Sequence, residues 1–175
     1  MAINDIKILK GKHGAERYRT ESAAATIKPG DVVKRGGTGG NFATVVLNGD
    51  PEITCDILLG VTYTEGSETS TANGVIDVEL IGHGTVLEGK AATTANINTD
   101  AKLLLLLNDY VAFDRSVEGL TGTLTIDEDE GDDPNVHGLN IVGGDIVAGT
   151  LRVIVHTNVT LYGSRVGEQN NETTP

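Results

Sequence analysis

The stretch LRVIVHTNVTLYG alternates strictly: Leu151, Val153, Val155, Thr157, Val159 and Leu161 fall on one face, and Arg152, Ile154, His156, Asn158, Thr160 and Tyr162 on the other. Successive side chains of an extended chain point to opposite sides, so a sustained period of two demands a strand with one buried face. The same pattern recurs where Ile76, Val78 and Leu80 alternate with Asp77 and Glu79, just after the hairpin-type pair Asn73-Gly74. Shorter apolar runs end at turn residues. Val32-Val33 follows Pro29-Gly30-Asp31, NFATVVLNGDP stops at Asn48-Gly49, EITCDILLGVTYT is interrupted by Gly60, and GLTGTLTID alternates Leu120, Gly122, Leu124 and Ile126.

One segment is ambiguous. NTDAKLLLLLNDYVAFDR reads either as a short helix capped by Asp100 and running through Leu107, or as a strand turning at Asn108-Asp109; the strand is the favoured form. With two Phe, four Tyr and no Trp, a core must be built from Val, Ile, Leu and Ala, and 23 Gly in 175 residues is well above the usual ~7%. About eight to eleven short strands are expected, forming an all-β fold, an antiparallel β-barrel or β-sandwich with an extended N-terminal arm. Residues 1–25 read as a basic arm without sustained period, 26–163 as the body, and 164–175 as a polar, disordered tail.

Charge is unevenly spread. The net value is −12, yet residues 1–35 hold eight of the thirteen basic residues against four acidic ones, +4, which leaves −16 for the remainder. An acidic body opposes close approach to nucleic acid or anionic membranes, so neither is an expected partner. The longest apolar run, Leu103–Leu107, is far short of the roughly 20 residues that span a bilayer, and the charged start MAINDIKILKGKHG lacks the apolar core of a signal peptide. A soluble protein made in the cytoplasm is expected.

No motif calls for catalysis, and an enzyme is not expected. IDEDEGDDPNVHG carries six carboxylates in the seven residues Asp127–Asp133, but counted from Asp127 a calcium loop would need a ligand at Gly131, Gly at Asp132 and Glu at Gly138. A solvated insertion is the plainer reading, and no metal or cofactor is expected. KRGGTGGNF lacks the Lys-Ser/Thr of a phosphate loop and has Phe42 where a dinucleotide fingerprint needs Gly. His13, His83, His137 and His156 form no i,i+4 or Cys-His pair, and His83 in GHGT reads as a turn residue. The single cysteine, Cys55, reads as a small buried apolar residue.

TIKPGDVVKRGG, LLGVTYTEGSETSTANGVIDVELIGHGTVLEG, NTDAKLLLLLNDYVAFDR and LRVIVHTNVTLYG together resemble the small β-rich decoration (cement) proteins of tailed-bacteriophage capsids, over roughly residues 26–162. The resemblance lies in a Pro-Gly-Asp-Val start, a Gly-Val strand, an Asn/Gly-rich turn and a V-x-V-x-x-x-G strand; the acidic stretch at 127–133 departs from it as an insertion. It implies a homo-oligomer, commonly a trimer, on the outer surface of the virion, where it binds the major capsid protein and bridges neighbouring subunits. Joined to the charge asymmetry, it makes Lys7, Lys10, Lys12, Arg17 and Arg19 the expected capsid contacts, with Ile6 and Ile8 as apolar anchors or as a strand added to a partner sheet. The alternative reading is a carbohydrate-binding or adhesive β-module, against which the scarcity of aromatic residues counts.

Overall fold

The computed structural model describes residues 6–20, 27–36, 42–46, 49–53, 56–66, 74–115, 123–129 and 133–160. Nine strands form one mixed sheet: β1 (Lys7–Thr20), β2 (Val32–Gly36), β3 (Phe42–Val45), β4 (Leu58–Thr62), β5 (Val75–Lys90), β6 (Tyr110–Arg115), β7 (Leu124–Asp127), β8 (Leu139–Asp145) and β9 (Thr150–Val155), in the order β1-β3-β2-β4-β5-β9-β8-β6-β7. The fold is all-β. β1 pairs with β5 as well as with β3, so the pairings among β1, β3, β2, β4 and β5 run in a circuit. Its closing contact is short, with two parallel register pairs, Arg19↔Phe42 and Thr20↔Ala43, so the sheet curls without forming a clearly closed barrel.

β5 is the spine. Its first half pairs with β4 through Gly60↔Leu80, Val61↔Glu79 and Thr62↔Val78, and its second half with β9 from Val86↔Ile154 to Lys90↔Thr150. The strand serves both cores. Ile76, Val78 and Leu80 pack with Ile27, Val33, Ala43, Val45 and Leu59, while Leu87 joins Phe113, Leu124, Ile126, Ile141, Leu151 and Val153 in the larger cluster. Gly60 is required at the crossing of β4 and β5: a Cβ there would lie 2.0 Å from the Glu79 carbonyl oxygen.

The alternating stretches behave as their period demands, with Ile76, Val78 and Leu80 buried in β5 and Leu151, Val153 and Val155 in β9. β9 is shorter than its pattern, because the chain turns through a 3-10 segment at Thr157–Val159. Three expectations change. The segment read as an extended N-terminal arm without a period is extended, but over Lys7–Thr20 it is a strand of the sheet, antiparallel to β5 from Lys7↔Glu88 to Arg19↔Val75. Register shifts between Ile8, Lys10, Lys12 and Ala15, with Gly11 at φ +84° and Gly14 at φ +102°, break the period of two by which a strand is recognised.

The ambiguous leucine run is a helix, α1 (Asp100–Leu105), and only the following YVAFDR is strand; the Thr99 hydroxyl, not Asp100, caps it by accepting from the Lys102 N–H. Leu103, Leu106 and Leu107 lean on the larger core, whereas Leu104 and Leu105 are 65% and 80% exposed, a helical rather than an alternating partition. His83 sits within β5, not in a turn between strands. There the ladder with β1 passes from Ile81 to Val86, and Gly84 takes φ +77°. Expectations for Cys55, Asn73, the glycines at 37, 39 and 40 and the tail at 164–175 concern positions outside the described residues.

Candidate interaction surface

The seven residues expected to touch a capsid all lie on or beside β1, but they do not act alike. Ile6 is buried in the larger core, where its Cδ1 occupies the space a Cβ on Gly89 would need, at 2.3 Å. Ile8 is half-buried against the same core. Neither is a free apolar anchor: both hold β1 to its own body. Lys12 forms an ion pair with Glu79 at 2.8 Å, and Arg17 holds Asp77 with two bonds, Nε to Oδ1 at 2.8 Å and an NH2 to Oδ2 at 3.2 Å. The hydrogen bond from Arg17 lowers the Asp77 pKa, and Asp77 in return raises that of Arg17. Lys7, Lys10 and Arg19 are exposed, and no side-chain hydrogen bond or ion pair ties them to another described residue. These three are the lysines and arginine of the strand that no described carboxylate pairs.

Beside the start of β1 lies a groove of about 480 Å³, lined also by Pro29 and Gly30 and by Val61, Thr62 and Tyr63 at and just after the end of β4. Its lining is mixed, with Ile8 and Leu9 alongside Lys7 and the Lys12–Glu79 pair. Tyr63 is 54% exposed there. Its backbone is fixed, because the Tyr63 N–H donates to the Asp77 carbonyl at 3.2 Å and the Thr62 hydroxyl donates to the carbonyls of Thr64 and Asp77.

The strongest polar clusters were not singled out by sequence. Arg115, at the end of β6, is buried; one NH2 reaches Asp31 Oδ1 at 3.0 Å and its Nε donates to the Val46 carbonyl at 2.6 Å. The only hint was two charged residues at the ends of apolar runs, PGDVV and YVAFDR. Lys34 lies between Asp50 and Asp56 at 2.7 and 2.8 Å. Burial opposes charge on Lys34, yet its hydrogen bonds to the two carboxylates outweigh that cost and raise its pKa. Burial likewise pushes Asp56 up, but Lys34 and the Glu52 N–H pull it below the usual carboxylate range. A general acid or base works best with a pKa near the operating pH, and here both partners are driven away from it. The cluster is a brace.

The acidic stretch divides. Glu128 is only 6% exposed, contrary to a wholly wet loop: its Oε1 accepts from the Thr93 N–H at 2.9 Å and from Asn96 Nδ2 at 3.2 Å, while Oε2 is buried without a partner. Burial and the neighbouring Asp129 charge raise its pKa against the hydrogen bonds that lower it. Asp129 is exposed and shares the Asn96 amide, and Asp133 caps the turn that leads to the buried His137. Among the described residues no group of three or more His, Cys, Asp or Glu is placed to hold a metal ion. No helix among them is long and apolar enough to cross a membrane. No protein-family model matches the chain, and neither does any curated protein or solved structure.

Proposed function

We propose that this protein is a structural decoration protein of a tailed-phage capsid. In this reading it assembles as a homotrimer, seats on the outer surface of the shell, and bridges neighbouring copies of the major capsid protein mechanically rather than by catalysis. The family resemblance supplies the setting, and β1 supplies the contact. The observation that carries the reading is the set of exposed cations, Lys7, Lys10 and Arg19, that no described carboxylate pairs, along one strand of a chain whose net charge is −12. Opposite charge across an interface steers docking and fixes orientation, while the acidic remainder keeps neighbouring copies apart on the same shell. Each exposed pair contributes roughly 0–1 kcal/mol, and several strands per oligomer acting together multiply the effect.

The contact is an ordered strand rather than a strap that orders on docking, and the choice of test follows from that. Removing residues 1–20 would delete a member of the sheet and confuse unfolding with lost binding. The cleaner variant is the triple charge reversal Lys7→Glu, Lys10→Glu and Arg19→Glu at exposed positions. In co-sedimentation with pre-assembled cognate capsids, the wild type should saturate the shell and release at high salt, and the triple variant should lose occupancy by about tenfold or more. A wild type that leaves capsids bare, or a triple variant that binds equally well, would overturn the proposal.

A further inference from the structure

The groove beside β1 has a chemistry that cation steering does not use. Its lining combines the apolar Ile8, Leu9 and Val61 with the half-exposed Tyr63, the exposed Lys7, and Lys12 and Glu79, which meet at 2.8 Å. We infer that this groove is a carbohydrate subsite, which takes a pyranose with its C–H face on the Tyr63 ring and its hydroxyls on Glu79 and Lys12. The volume of about 480 Å³ lies within the roughly 300–1,000 Å³ of small-molecule sites.

The lining discriminates among occupants. A purely apolar side chain from a protein partner would strip water from the Lys12–Glu79 pair and return no hydrogen bond, which is costly. Lys7 lines the groove beside the Lys12–Glu79 pair, so the lining accepts an acidic sugar as well as a neutral one. A sugar hydroxyl both donates and accepts, so one ligand satisfies carboxylate and ammonium together. An exposed ring covers the apolar face of such a ligand at low entropic cost. The site is also prepared in advance: the bonds from Tyr63 N–H and the Thr62 hydroxyl, with Asp77 N–H donating to Thr64 Oγ1 at 2.7 Å, hold the ring's backbone before any ligand arrives.

The inference stands apart from the capsid reading, since it needs neither a shell nor the charges of Lys10 and Arg19. The test applies the labelled chain to an array of neutral and anionic glycans, then titrates the best binder by calorimetry. A glycan should bind; Tyr63→Ala should weaken it at least roughly tenfold, Tyr63→Phe should retain it, and Glu79→Gln should weaken it, with melting temperatures of the Tyr63 variants unchanged. An array on which nothing binds, or a Tyr63→Ala protein that binds like the wild type, would overturn the assignment.

Discussion

Arg115 and Asp31 show how much can rest on one pair of side chains. Both are buried, and removing Asp31 takes from the Arg115 guanidinium its charged bond at 3.0 Å and from the Lys28 N–H its acceptor. Asp31→Ala should therefore cost roughly 3–5 kcal/mol in urea unfolding, whereas a pair replaced together by apolar residues of similar size should cost much less. Glu128 makes a prediction of opposite character. Its folded pKa is raised, so its stabilising contribution is complete below the ordinary value of 4.5 and is lost as pH rises through the folded value. Glu128→Gln keeps an oxygen for the Thr93 N–H and abolishes the buried charge. Its stability relative to wild type should accordingly be greater at pH 7 than at pH 4, and a difference independent of pH would contradict this account. Asp56 runs the other way, because its pKa is lowered: its contribution is present above 3.8 and disappears as pH falls through the folded value.

At the scale of the element, β1 is structural first. Ile6 and Thr20 are buried at or beside its two ends, and its inner edge pairs along β5. Deletion of residues 1–20 should abolish the cooperative unfolding transition seen by circular dichroism; a stable, folded truncation would mean that β1 is dispensable. Gly60→Ala should destabilise by at least about 1–3 kcal/mol, because its Cβ would strike the Glu79 backbone and not a side chain that can move aside. These elements also mark what the sequence could tell. β5 and β9 were legible because period two survives wherever one face packs and the other is wet. β1 was not, since its bulges and left-handed glycines scramble that period while leaving the pairing intact. The leucine run defeated the reading for a related reason: a helix of six residues is too short to display its own period, and Thr99, the true cap, looks like any loop threonine. In the candidate site, the positions of the cations were legible but their partners were not. Asp77 lies 60 residues from Arg17, and Glu79 is still farther along the chain from Lys12, so only the fold brings them together.

For the whole molecule, charge and assembly are the same question. A chain of net charge −12 can form a trimer only through surfaces where that charge is sparse or compensated. Light scattering at low and at high salt should give the mass of a stable trimer at both, and a monomer under both conditions would remove the assembly on which the capsid reading depends. The two hydrophobic clusters meanwhile share β5, a single uninterrupted strand of sixteen residues. Neither cluster therefore owns a severable piece of backbone. A cut at the bend near Gly84 would yield two fragments that each lack an edge partner, not two miniature proteins. Amide protons before and after that bend should accordingly exchange with solvent at one common free energy, as a rope frays along its whole length when the strand common to both its plies gives way.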